Sequence, residues 1–197
     1  MASSDDPLRG LPASFTRAQA RRAGLTDRQL YRLRDDDMIE ALGHGHFRRT
    51  DVGAPADPDL LEIAQRATWS TLCLATALAQ HGLTDEIPAA IDVALPRGQH
   101  RPATTAPVRW HLFEQNSFDV GRTEMPLDET TSIGLYGPER SIIDAIRLRH
   151  QEGPELGYSA LKRWLARPGA MPSDLLRMAA HFPAARRALR EALEILL

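Results

Sequence analysis

Arginines four residues apart recur in the first fifty positions. Arg17 and Arg21 share one short stretch, Arg28 and Arg32 the next, and Arg48 and Arg49 follow His46 in an extended run. On a helix, a spacing of four puts both guanidinium groups on one face. Leu30 and Leu33 fall on the opposite face of the second stretch, and Tyr31 lies beside the arginines. A guanidinium is a planar fork of donors that fits phosphate oxygens and the O6/N7 edge of guanine. The chemistry expected here is therefore binding to DNA, with Arg17, Arg21, Arg28, Tyr31, Arg32, His46, Arg48 and Arg49 as contacts. Between positions 9 and 49, nine arginines stand against five acids, although the 197-residue chain carries a formal net charge of −2. That local excess suits a weak half-site reader that self-associates on DNA better than a lone high-affinity binder. Outward arginines also serve as plain solvated faces. The bias to arginine, 23 of the 24 cations with Lys162 the other, follows from a GC-rich genome.

Catalysis finds little support. Asp92 and Glu114 on strand-like segments invite comparison with a metal-dependent nuclease, but such a site also wants a strand lysine, and Lys162 falls in a helical stretch. Ser70, Ser141 and Ser173 have no G-x-S-x-G context, and neither a phosphate-binding loop nor a dinucleotide fingerprint occurs. Cys73, the one cysteine, sits in an apolar run and reads as a small buried hydrophobe. His44 and His46 could be two metal ligands but lack a third nearby, so a hairpin tip is the simpler reading. No enzyme, cofactor or metal is expected. No apolar run approaches the roughly 18 residues needed to span a bilayer, and no secretory signal opens the chain, so a cytoplasmic protein without membrane contact is expected.

These residues need elements to hold them. Residues 1–14, with Pro7, Gly10 and Pro12, read as a loose leader. Thr16 with Gln19 and Thr26 with Gln29 have capping-box spacing, which predicts helices over 16–23 and 26–35 with a turn at Gly24. Residues 38–42 and 46–49 flank a glycine turn and predict a β-hairpin. Together, 15–50 form a winged helix-turn-helix. Residues 51–58 have linker composition, and 59–197 form a larger α+β domain with a helical C-terminal region. Helices are expected over 60–66, 70–81, 138–150, 156–166, 173–182 and 184–197, and strands over 90–95, 108–113, 118–122 and 132–136. Arg140, Asp144 and Arg147 run along one side of the helix after Pro138, with Arg97 and Arg101 in a proline-rich connection. They are either solvated groups or a docking surface for a protein partner, and the residues leave both open.

The run F-T-R-A-Q-A-R-R-A-G-L-T-D-R-Q-L-Y-R-L (15–33) and the G-H-G-H-F stretch (43–47) resemble the N-terminal winged helix of AbiEi-family antitoxins. L-C-L-A-T-A-L-A-Q-H-G-L-T-D-E-I-P (72–88), A-L-P-R-G (94–98) and Y-G-P-E-R-S-I-I-D-A-I-R-L-R-H (136–150) resemble the family's second domain. The likeness extends over about 14–197. Asp37 stands where many such proteins have glycine. The resemblance implies the antitoxin of a two-gene toxin–antitoxin system linked to phage defence. Its winged helix would bind inverted repeats in its own promoter and repress the operon, and its second domain would counter a nucleotidyltransferase-like toxin, directly or indirectly. Carried over, DNA contact falls to Thr26, Arg28, Gln29, Tyr31 and Arg32, with His46 and Arg48 on the hairpin. The alternative is a one-component transcription factor whose second domain binds a small effector, which calls for an enclosed apolar pocket.

Overall fold

The computed structural model describes residues 7–43, 45–50, 57–128 and 130–196. Residues 1–6 of the expected leader, 51–56 of the expected linker, His44, Leu197 and the side chain of Ile195 lie outside that description. The chain is mixed α+β and divides into two units. The first is Met1–Thr68 with Pro102–Ala106 and Pro126–Ile133; the second is Trp69–Arg101, Pro107–Met125 and Gly134–Leu197.

The first unit begins with β1 (Ser14–Thr16), α1 (Arg17–Arg22), α2 (Asp27–Asp35), β2 (Ile39–Gly43) and β3 (His46–Arg49). Both capping boxes form as the spacing predicts: Gln19 N–H donates to Thr16 Oγ1, and Gln29 N–H to Thr26 Oγ1, with each glutamine accepting from its cap's backbone N–H. Gly24, at φ 91, ends α1 by letting Leu25 N–H turn back to the Ala20 carbonyl. The same closure ends α2, where Met38 N–H reaches the Leu33 carbonyl, but the left-handed position is held by Asp37 at φ 55. The hairpin β2–β3 is antiparallel with an irregularity between Ala41 and Gly43, and β1 joins its other side, giving the order β1-β3-β2. Strand β1 had no signal of its own, since three residues next to a helix cap show no periodicity.

Leu8, Leu11, Phe15, Ala20, Leu25, Leu30, Leu33, Ile39 and Phe47 make one small core, in which the Phe15 and Phe47 rings stack at 6.0 Å. Leu8 and Leu11 correct the expectation of a loose leader for its described part. Arg49 Nη1 fixes that turn by donating to the carbonyls of Leu8 and Leu11 at 3.0 and 3.3 Å.

Helix α3 (Pro58–Arg66), capped by Asp57, groups with this unit, whereas the linker composition of 51–58 predicts that it opens the second domain. The cause is Glu62. Its buried carboxylate accepts from the N–H groups of Thr105 (3.0 Å) and Ala106 (3.2 Å) and pairs with Arg66 at 2.9 Å. A second excursion is tied by Asp128, which accepts from Ser14 Oγ at 3.0 Å and from the N–H groups of Thr130 and Thr131. Burial raises the Asp128 pKa, but those hydrogen bonds to its charged form outweigh burial and leave it below the ordinary value.

The second unit runs β4 (Thr71–Leu72), α4 (Leu74–Gln80), β5 (Ile91–Pro96), β6 (Val108–Phe113), α5 (Gln115–Phe118), β7 (Arg122–Pro126), β8 (Ser132–Tyr136), α6 (Pro138–Arg147), α7 (Arg149–Glu152), α8 (Pro154–Leu165), α9 (Pro172–Ala179) and α10 (Pro183–Leu196). The sheet order is β6-β5-β4-β8-β7, with β5 parallel to β6, β4 parallel to β8, and β4 antiparallel to β5. The helix expected from Ser70 starts at Leu74, because Thr71 and Leu72 fill the centre of this sheet. The strand expected over 118–122 is instead the short helix α5, a turn at Gly121 (φ 72) and then β7. The helix after Pro138 breaks at Leu148 into α6 and α7. Its core joins α4, α6, α8, α9 and α10 to one face of the sheet, with Leu78, Phe113, Tyr136, Ile142, Ile146 and Trp164 among its members. Gly157 lets α8 approach α6 closely: a Cβ there would lie 2.9 Å from Ile146 Cγ1.

Candidate nucleic-acid interface

Helix α2 buries Leu30 and Leu33 and leaves Arg28, Gln29, Tyr31 and Arg32 exposed. Arg28 and Arg32 make no ion pair or hydrogen bond among the described residues, so both guanidinium forks are free to donate. Arg22 at the end of α1 is likewise exposed and unpaired among the described residues. Spacing along the chain marks it as charge and not as a contact, because it stands outside the i, i+4 pairs.

The neighbouring arginines are engaged. Arg21 grips Asp27 with two bonds, Nη2 to Oδ2 at 2.6 Å and Nε to Oδ1 at 3.3 Å. Arg17 Nε lies 3.1 Å from the same carboxylate, and its Nη2 donates to Tyr31 Oη at 2.9 Å. The Tyr31 ring has the Arg17 guanidinium at 5.9 Å and that of Arg34 at 5.2 Å, so this half-exposed phenol is held between two cations. The hydrogen bond from Arg21 is the main cause holding the Asp27 carboxyl below its ordinary range. Thr26 and Gln29, expected as contacts, spend their polar atoms on each other: Gln29 Oε1 accepts from Thr26 N–H at 2.8 Å, and Gln29 N–H donates to Thr26 Oγ1 at 3.3 Å. The Gln29 amide NH₂ makes no hydrogen bond among the described residues.

The hairpin differs more from expectation. His46 is buried, 8% exposed, because it pairs opposite Thr16 on the inner strand of the sheet. Arg48 lies opposite Glu40 across the hairpin and pairs with it at 2.8 Å. Arg49 holds the leader carbonyls, as above. His46 is thus packed inside the unit and Arg48 and Arg49 bond within it, unlike Arg28 and Arg32: strand side chains project to the two faces of the sheet, where cross-strand neighbours meet them. The structure thus gathers Arg17, Arg21, Arg28, Tyr31 and Arg32 on α1 and α2 and leaves the hairpin residues out.

In the second unit the expected docking row is mostly interior. Arg140 and Asp144 are fully buried, Arg140 Nε bonding Asp144 Oδ2 at 2.8 Å. Arg140 Nη1 donates to the carbonyls of Ser117 and Val120, each at 2.7 Å, and its guanidinium lies 4.2 Å from the Tyr136 ring and 4.1 Å from that of Phe182. Arg147 bonds the other Asp144 oxygen at 2.7 Å and covers Phe113 at 4.5 Å. Reading α6 as amphipathic missed this because the helix is covered on nearly every side by α4, α8, α9 and α10. Only Arg97 and Arg101 are exposed, Arg97 pairing with Glu114 at 2.9 Å.

Asp92 is also buried, with Oδ1 accepting from His111 Nε2 at 2.9 Å and close to Arg109 Nε at 3.3 Å. Cys73 is fully buried, and burial pushes its thiol pKa well up, against thiolate chemistry. Among the described residues no three His, Cys, Asp or Glu side chains gather as for a metal, and no helix is long and apolar enough to cross a membrane. A cleft of about 430 Å³ beside α10 is lined by Asn116, Ser117, Val120, Arg147, His181 and Phe182.

No protein-family model and no curated protein matches the chain. Among solved structures it is similar to the RV2827C protein from Mycobacterium tuberculosis, with a TM-score of 0.55 and 20% identity over 93% of this chain and 78% of that chain. At that identity the likeness is one of fold.

Proposed function

We propose that this chain is the antitoxin and autorepressor of a two-gene toxin–antitoxin operon. Its first unit acts as a winged helix-turn-helix that binds inverted repeats in its own promoter, and its second unit counters a nucleotidyltransferase-like toxin. The observation that carries the DNA arm is the Arg28–Arg32 pair: two unpaired guanidinium groups one turn apart on the outer face of α2, beside a paired Arg17–Asp27–Arg21 cluster. Inserted in the major groove, that face would present Arg28 and Arg32 to base edges, with Arg22 on phosphate. The toxin arm rests on the resemblance of 72–88, 94–98 and 136–150 to AbiEi-family antitoxins. Because Arg140 and Asp144 are interior, that signature would act by building the core of the second unit.

Full-length Arg28→Ala and Arg32→Ala should each weaken binding to the DNA upstream of the gene by about 1–3 kcal/mol, read by fluorescence anisotropy at fixed salt. Both positions are exposed, so melting temperature should hold. The double variant should still protect cells expressing the neighbouring toxin gene while losing repression. Unchanged DNA binding by the double variant would overturn the α2 assignment. The effector-binding alternative rests on the cleft beside α10, and a small molecule that raises the melting temperature and is lost on filling that cleft would favour it.

A further inference from the structure

Asp27 is the first residue of α2 and the meeting point of two cations from α1. Arg21 reaches it at 2.6 Å and Arg17 at 3.1 Å, and all three side chains keep more than a third of their surface in solvent. Two further features hold the arrangement. The carboxylate sits at a helix N-terminus, where the backbone dipole favours negative charge, and Arg17 is held extended by its bond to Tyr31 Oη. In the first unit, Arg9, Arg22, Arg28 and Arg32 stay unpaired among the described residues, while Arg17 and Arg21 are the two cations that share a single acid.

Resting on the nucleic-acid reading of this unit, we propose that Asp27 is a specificity-determining residue that withholds Arg17 and Arg21 from the DNA backbone until phosphates placed by a correctly seated α2 displace it. An ion pair this exposed is weak and screened, so phosphate can exchange for it. A phosphate approaching without the right register meets a cluster of net charge +1 in place of +2, with the nearest donors already turned to the carboxylate. When Arg28 and Arg32 engage base edges, the same rigid α1–α2 pair brings the phosphates up to Arg17 and Arg21, and the two guanidinium groups trade one carboxylate for two anions. The depressed Asp27 pKa keeps the carboxylate charged throughout the neutral range.

The test uses the full chain with Asp27→Asn and, as a control for net charge alone, Asp36→Asn at the other end of α2. Binding is measured by anisotropy across a salt series on a mixed-sequence duplex of about two helical turns and on the DNA upstream of the gene. Asp27→Asn should bind the mixed-sequence duplex roughly 3–10-fold tighter at low salt, with a salt slope steeper by about one. The upstream DNA should gain less, so the preference between duplexes falls, and Asp36→Asn should change both little. Adding Arg17→Ala and Arg21→Ala to Asp27→Asn should abolish the gain, and Asp27→Ser should behave as Asp27→Asn does. Equal effects of Asp27→Asn and Asp36→Asn, or no effect of Asp27→Asn while Arg28→Ala/Arg32→Ala still abolishes binding, would overturn the clamp and leave the interface standing. A wild-type chain that binds neither duplex, or one indifferent to Arg28 and Arg32, would overturn both.

Discussion

Arg140 and Asp144 are spaced as a helix-surface ion pair, i and i+4, yet both are sealed from solvent. Burying two charges costs several kcal/mol each, recovered through close pairing and further hydrogen bonds, although Arg140 Nη2 finds no hydrogen-bond partner among the described residues. Here Asp144 takes Arg140 on one oxygen and Arg147 on the other, while Arg140 adds two carbonyls and two aromatic rings. Asp144→Ala would strand a buried guanidinium and should cost about 3–5 kcal/mol, measured by chemical denaturation. Asp144→Asn, which keeps one acceptor, should cost less. Under the proposed antitoxin role, toxin neutralisation should then fall in proportion to folded protein, whereas a contact residue would lose neutralisation with stability intact. The same contrast separates Arg28 and Arg32, unpaired and exposed, from Arg48 and Arg49, which look identical in sequence.

At the scale of elements, capping chemistry was the most legible feature. Thr16–Gln19 and Thr26–Gln29 fix the starts of α1 and α2, Gly24 closes α1 as expected, and Gly82 closes α4 in the same way, each letting the N–H of the next residue reach back. Asp37 performs this closure without being glycine. A left-handed aspartate carries a steric cost of about 1–2 kcal/mol that glycine avoids, partly offset by the greater freedom of glycine in the unfolded chain. Asp37→Gly should therefore stabilise the first unit by about 0.5–1 kcal/mol, seen as a higher melting temperature, with DNA binding unchanged. Short elements were the ones missed. β1, β4 and α5 have two to four residues each, too few for a periodic pattern, and they exist because neighbours supply hydrogen-bond partners.

At the scale of the molecule, the first unit is not a contiguous stretch. Glu62 binds Thr105 and Ala106, and Asp128 binds Ser14, Thr130 and Thr131. A cut in the expected linker would therefore part groups that fold together, so function is best divided by point variants in the full chain. Asp128 also adds a pH signature. Its native pKa lies below the ordinary value, so the stabilisation is present above the ordinary aspartate range and is lost as pH falls through the depressed value. Asp128→Asn should be less stable than wild type at neutral pH and lose less on acidification, in thermal melts over a pH series.

By itself the sequence determined the local grammar: where α1 and α2 begin, that a hairpin follows, that β5, β6 and β8 are strands, and that helices make the C-terminal region. Caps, turns and periodicity act within a few residues, so they are written in neighbours along the chain. Only the tertiary structure decided which arginines are free, that α3 belongs with the first unit, and that the 136–150 signature faces inward. Charge availability and burial depend on partners such as Asp27, Glu62 and Phe182, brought close by folding from positions that no local pattern relates.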